Sequence, residues 1–220
     1  MTRIGYSHSE RANAARGRLT NPRKNASQER SRATVDALIE ATARILVREG
    51  FDNASTNRIA EEAGVSVGSL YQYFPGKEAL VAAVIDRHNQ DLMKVVRSSL
   101  AEVATQPIGQ AVRKLITAAI EAHRVDPDLH RVLAEQTPRI GATENVGALG
   151  RETYGLFRAY LERHGDEIRA VDLGVAAFVC VTSIEALTHT AILHRPDVLS
   201  GEAIGMLVDE ATRLVLRYLQ

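Results

Sequence analysis

The feature that most constrains this chain is a pair of short helical runs around one glycine-led turn: Thr56-Asn57-Arg58-Ile59-Ala60-Glu61-Glu62-Ala63, then Gly64-Val65-Ser66, then Val67-Gly68-Ser69-Leu70-Tyr71-Gln72-Tyr73-Phe74. Two short helices about a three-residue turn have helix-turn-helix spacing. Gly64 suits a left-handed turn position, where a Cβ is penalised. Val65 can plug the gap between the helices, and Ile59, Ala60, Ala63, Leu70 and Phe74 supply a small shared core. Ser55 or Thr56 can cap the first helix and Ser66 the second, each offering a side-chain oxygen to an otherwise unpaired backbone N–H.

Helical spacing continues on both sides. Val35, Leu38, Ile39, Thr42, Ile45 and Leu46 recur at three and four, which predicts a helix from about Ser27 to Glu49 with Gly50 as its stop. Pro75-Gly76 closes the second short helix, and Lys77 opens a run carrying Leu80, Val84 and Ile85 to about Arg97. Further helices are predicted at about Pro107–Val125, Pro127–Gln136 and Glu152–His164, with Gly141, Gly147 and Gly150 marking a connection before the last of these. The most apolar runs are 171–194 and 201–219, separated by Arg195-Pro196-Asp197. No stretch alternates apolar and polar residues for long enough to argue a strand, and no internal repeat is visible. The expected fold is therefore all-α: a basic, flexible arm over 1–26, a three-helix DNA-binding head over 27–76, and a helical bundle over 77–220. The last two helices have apolar faces wider than one bundle core needs, so they are expected to pair with a second copy as a homodimer.

The formal net charge of zero hides an asymmetry. Residues 1–77 carry 12 Lys/Arg against 8 Asp/Glu, and residues 78–220 carry 15 against 19. The excess is sharpest over 1–34, with 8 basic and 2 acidic side chains, which favours a polyanionic partner. The single cysteine, Cys180, lies in an apolar run, excludes an internal disulfide and a thiolate cluster, and reads as a small buried hydrophobe. The apolar stretch from Leu173 to Ile184 stops at Glu185, short of a membrane span, and the polar, arginine-rich N-terminus has no signal-peptide core. These features predict a soluble protein of the cytoplasm with no membrane partner.

Around the small core of the two short helices, Thr56, Ser66, Ser69, Tyr71, Gln72, Tyr73 and Lys77 are hydrogen-bond donors or cations suited to phosphate. Gly68 removes a side chain where a recognition helix enters the major groove. Gln72 can read an adenine edge, and Val67 can meet a thymine methyl. Base readout is thin by this reading, leaving specificity to share with DNA shape.

The string Gly64-Val65-Ser66-x-Gly68-x-Leu70-Tyr71-x-Tyr73-Phe74-x-x-Lys77-Glu78-x-Leu80 resembles the DNA-binding signature of the TetR/AcrR family of transcriptional regulators. The likeness covers about residues 27–85; beyond them the chain is similar to the family by helix pattern and length. It implies a homodimer that binds a double-stranded, palindromic operator, with a helix from Lys77 transmitting the binding of a small-molecule effector to the heads. Carried over position by position, it implies phosphate contacts at Thr56, Tyr71, Tyr73 and Lys77 and base-region contacts at Val67, Gly68, Ser69 and Gln72. Tyr73 stands where histidine is also common. The leader before Ser27 is longer than usual and carries Arg18, Arg23 and Lys24, with Arg30 and Arg32 close behind; it is either an arm for the minor groove or a tail. Repression is the mode the resemblance implies.

Three other readings were weighed on the residues. Gly64-Val65-Ser66-Val67-Gly68 also fits the nucleophile elbow of an α/β-hydrolase, with Ser66 as nucleophile, but an elbow needs a strand before its serine and Arg58–Ala63 is helical in pattern. Glu185 and His189 share a helical face, yet no third metal ligand is evident, so no metal, cofactor or catalytic site is expected. A DNA-binding dimer without a sensor is the third. Against it stand Ile116, Ile120, His123, Tyr154, Phe157, Tyr160 and Phe178, which can line the apolar effector pocket, with a few polar anchors, that the resemblance implies, although each by itself reads first as an ordinary core residue.

Overall fold

The structure, a computed structural model, describes residues 29–141, 143–169 and 172–220, and the arm expected over 1–26 lies outside the described residues. These residues hold nine α-helices and no strand: α1 Glu29–Asn53, α2 Thr56–Glu62, α3 Val67–Tyr73, α4 Lys77–Glu102, α5 Ile108–Arg124, α6 Pro127–Ile140, α7 Thr143–Arg163, α8 Leu173–His194 and α9 Ala203–Leu219. Short 3₁₀ turns at Gly165–Glu167 and Pro196–Leu199 complete the chain. The hydrolase reading is overturned here, because the segment before Ser66 is helix α2 and its turn.

Local chemistry accounts for most helix ends. Gly50 breaks the regular geometry of α1 at φ 76° and ψ 170°, leaving one short turn beyond it. Asp172 begins α8 by accepting from the Gly174 and Val175 N–H groups at 2.8 and 3.0 Å, and those two bonds hold its carboxyl below the usual value. The N–H of Ile108, orphaned at the start of α5, donates to Glu167 Oε2 at 3.1 Å.

Two expected boundaries move. Helix α6 passes through Pro138 and ends only at Gly141, which takes φ 71°. The glycine-containing connection expected before Glu152 is the first part of α7, with Gly147 and Gly150 inside it. An interior glycine costs a helix about 1 kcal/mol relative to alanine, a penalty that flanking residues and packing can offset.

The described residues divide into two compact units, one holding those up to 87 together with those between 132 and 143, the other those of 88–131 together with those from 144 onward. The first extends beyond the head expected over 27–76, and side-chain contacts inside it show why. Arg87 pairs with Asp36 at 3.5 Å, Lys77 donates to the Phe51 carbonyl oxygen at 2.7 Å, and Arg139 reaches Asp52 at 3.5 Å. Those bonds tie the start of α4 and the end of α6 to α1. The second unit is built on Val103, Ile108, Val112, Ile116, Leu161, Ala176 and Ile192, all buried, with Cys180 among them as expected.

Helix α8 spans 22 residues with mean hydropathy 1.6 in its most apolar window, so it meets the length and composition of a membrane span, which the sequence reading had put out of reach. The apolar run continues past Glu185 to Ile192 because a single half-buried carboxylate does not end a helix. Ala176, Ala177, Cys180, Thr188, Ala191 and Ile192 of this helix are buried within the protein.

Candidate nucleic-acid interface

Helices α2 and α3 are placed by their caps and by one glycine. Ser55 Oγ accepts from the Arg58 N–H at 3.3 Å and Ser66 Oγ from the Ser69 N–H at 3.1 Å, so serines begin both helices. Between them Gly64 takes φ 68°, with no atom within 4 Å of where a Cβ would stand; the glycine is required by backbone conformation and not by crowding. The Val65 N–H then returns to the Ala60 carbonyl at 2.9 Å, closing the turn. Ile59, Ala60, Leu70 and Phe74 are buried as the shared core.

A network of ion pairs, not legible in the sequence, sets α2 against α1. Glu62 accepts from Arg44 at 2.9 Å and Arg48 at 3.1 Å, while Glu49 accepts from Arg58 at 2.8 Å. The Arg44 hydrogen bond, followed by that of Arg48, holds the Glu62 carboxyl below its usual value. The hydrogen bonds to Glu49 and Glu62 raise Arg48 in turn.

The candidate contact residues divide into three groups. Thr56 and Tyr71 come together, with their hydroxyl oxygens 3.1 Å apart across α2 and α3. Ser66, Gly68 and Gln72 are exposed and Val67 and Ser69 half-buried, all on or beside α3. Lys77 and Tyr73 are engaged otherwise. The Lys77 ammonium donates to the Phe51 carbonyl oxygen and lies 4.1 Å from the centre of the Phe51 ring. Tyr73 is only 7% exposed, its ring packed inward beside Leu70 and Phe74 as part of the core of the head.

The candidate pocket residues do not form one lining. Ile116, Ile120, Phe157 and Tyr160 are buried in the core of the second unit, and the Tyr160 hydroxyl donates to the Gln106 carbonyl oxygen at 3.1 Å. Tyr154 meets Phe178 edge to face at 5.6 Å and places its hydroxyl 3.3 Å from that of Thr182. Phe178 is 54% exposed, which corrects its place from pocket wall to outer face of α8. His123 belongs instead to a group of imidazoles. The sequence showed no third metal ligand beside Glu185 and His189; in the structure His123 from α5 and His130 from α6 converge on His189. Glu185, its expected neighbour in sequence, is not one of the group, and burial pushes its carboxyl up. Seven histidines scattered along a chain carry no signal of which ones meet.

Comparison with known proteins follows the same division. Residues 38–84 match the family described as bacterial regulatory proteins, tetR family, and residues 107–219 match the tetracyclin repressor-like C-terminal domain. The nucleoid occlusion factor SlmA of Haemophilus ducreyi is 30% identical over 110 residues, 50% of this chain and 52% of that protein, so the chain spans about half the length of this curated relative. Among solved structures, the fatty acid degradation regulator FadR of Bacillus halodurans aligns with TM-score 0.65 at 17% identity, over 83% of this chain and 94% of its own. A regulatory protein of the tetR family from Rhodococcus RHA1 aligns with TM-score 0.65 at 17% identity, over 84% and 96%. With the C-terminal match alone covering more than half of the chain, and the N-terminal match lying on α1 to α4, the protein belongs to the TetR family of bacterial regulatory proteins.

Proposed function

We propose that this protein is a cytoplasmic, DNA-binding transcriptional regulator that binds a palindromic operator as a homodimer and represses until an effector is bound. The observation that carries the DNA-binding reading is the head itself. Thr56 and Tyr71 present paired hydroxyls for phosphate beside a helix whose Gly68 and Gln72 are open to solvent. Lys77 acts as a brace for α1 that adds positive charge near the same surface. In this reading Val67, Ser69 and Gln72 share base readout, and two heads reach half-sites roughly 34–36 Å apart, one turn of the duplex.

The outer faces of α8 and α9 support the dimer. Val175, Phe178 and Leu187 on α8 and Met206, Leu214 and Tyr218 on α9 are large apolar side chains left exposed on one chain. Clusters of this kind mark protein interfaces. Effector release requires differential binding of about 2.7 kcal/mol for a hundredfold loss of DNA affinity. Helices α4 and α6, each of which contributes residues to both units, are the natural levers.

A DNA-binding dimer without a sensor is the second reading, favoured by the half-length match to a nucleoid occlusion factor. Fluorescence anisotropy on DNA from upstream of the protein's own gene, beside a scrambled duplex at two salt concentrations, tests the proposal. Salt-sensitive preference for the native duplex supports a sequence-specific regulator. Equal affinity for both duplexes favours the second reading, and no binding at low salt overturns both.

A further inference from the structure

We propose that His123, His130 and His189 form a site for a divalent transition-metal ion of the zinc, nickel or cobalt class, with His88 positioning His130. Four helices deliver these residues: α4 brings His88, α5 His123, α6 His130 and α8 His189. One ring nitrogen from each of the three proposed ligands lies within 4.8 Å of the others. Ring centres are 4.7 Å apart for His130 and His189, 4.8 Å for His123 and His130, and 5.3 Å for His123 and His189.

The second observation is an orphaned atom. His130 is only 5% exposed, and its Nε2 is buried with no hydrogen-bond partner. A buried polar atom left unpaired is costly, and an apolar side chain would fill the same space without that penalty. Its Nδ1, by contrast, lies 3.0 Å from His88 Nε2. His123 shows the same division, since its Nδ1 lies 2.7 Å from the Ala119 carbonyl oxygen. A carbonyl only accepts, so His123 Nδ1 carries the proton and Nε2 presents a lone pair. Either nitrogen of the His88–His130 contact can be the donor; in the tautomer where His130 Nδ1–H donates to His88 Nε2, His130 Nε2 is a lone pair too. Anchoring the far nitrogen of each imidazole is how proteins orient histidine toward a metal.

Donor type fits such an ion. Three nitrogens without a thiolate or carboxylate suit zinc, nickel or cobalt and disfavour magnesium and calcium, which take oxygen. A tetrahedral ion with bonds of about 2.05 Å needs nitrogens roughly 3.3 Å apart, a contraction within reach of side-chain rotation. The fourth position is left to water or a small anion.

The test is titration of the untagged full-length chain, stripped by chelator, with Co²⁺ followed by its visible absorption and then displaced by Zn²⁺. One ion per chain is expected. His130→Phe and His189→Ala each lower affinity by at least about 100-fold, and His88→Ala by about tenfold, while His194→Ala, at an exposed histidine of α8, leaves it unchanged. Far-ultraviolet circular dichroism of the stripped variants separates a lost ligand from a lost fold; should His130→Phe unfold, the half-buried His189→Ala carries the test. Absence of stoichiometric Co²⁺ binding, or affinity unchanged in His189→Ala, overturns the proposal.

Discussion

The hydroxyl oxygens of Thr56 and Tyr71 lie 3.1 Å apart, which joins the first residue of α2 to the exposed face of α3. Either can donate to the other, so a phosphate oxygen arriving between them meets at least one hydroxyl whose orientation is already restrained. Tyr71→Phe is expected to weaken binding to specific and random DNA alike, by about three- to tenfold, since a neutral hydrogen bond contributes about 0.5–1.5 kcal/mol. Gln72→Ala is expected to lower affinity for the operator and leave random DNA nearly unchanged. Competition anisotropy with both duplexes measures the two effects, and equal losses for Gln72→Ala would remove its assignment to base readout.

Lys77 is expected to matter for stability as well as for DNA. Its ammonium satisfies the Phe51 carbonyl beyond the Gly50 break and covers the Phe51 ring. Lys77→Met keeps the stem but loses the charge, and is expected to cost about 1–2 kcal/mol of head stability. Urea denaturation followed by helical signal reads this out as a lower midpoint at unchanged slope.

The Glu62 network gives the head a dependence on acidity. Arg44 and Arg48 hold the Glu62 carboxyl below its usual 4.5, so its contribution is present above that value and is lost as pH falls through the lower, folded-state value. The stability difference between the native chain and Glu62→Gln is expected to be constant near neutrality and to vanish in acid, once pH falls below the lowered folded-state value. Denaturation series at several pH values check this, and a difference that widens in acid would contradict it.

The dimer face is expected to rest on Phe178 and Met206, 54% and 62% exposed on one chain. Phe178→Asp combined with Met206→Asp introduces charge that must be desolvated on pairing. Sedimentation is expected to shift to the monomer at micromolar concentration, with operator affinity falling at least tenfold while circular dichroism is unchanged. A dimer that survives both substitutions would move the interface elsewhere.

Much of the fold was legible because its signals are local. The stop at Gly50, the left-handed Gly64, and the serine caps at Ser55 and Ser66 each depend on one or two residues and on backbone geometry that no distant contact needs to supply. Packing outweighs local preference elsewhere. Gly147 and Gly150 looked like a connection and are helix.

The site was legible to the extent that a helical register shows it. Thr56, Tyr71 and Gln72 follow from the pattern, and the structure brings the first two together and leaves Tyr71 and Gln72 exposed on α3. The inward packing of the Tyr73 ring and the exposure of Phe178 do not follow from the pattern, because whether an aromatic residue faces inward or outward depends on which neighbours cover it. Lys77 carries a charge any reading would send to phosphate, yet its partner Phe51 lies 26 positions earlier in the chain, and nothing in either residue announces the other.

The sequence by itself determined an all-α chain, a helix-turn-helix and the surface chemistry of α3, since hydrophobic period, caps and turn glycines act over a few residues. Only the tertiary structure decided that α4 and α6 each serve both units and that Arg44, Arg48 and Arg58 are committed to Glu49 and Glu62. It also decided that histidines at positions 88, 123, 130 and 189 meet in one place. Such meetings join residues up to about a hundred positions apart, and their geometry is set by helix packing, which no local pattern encodes.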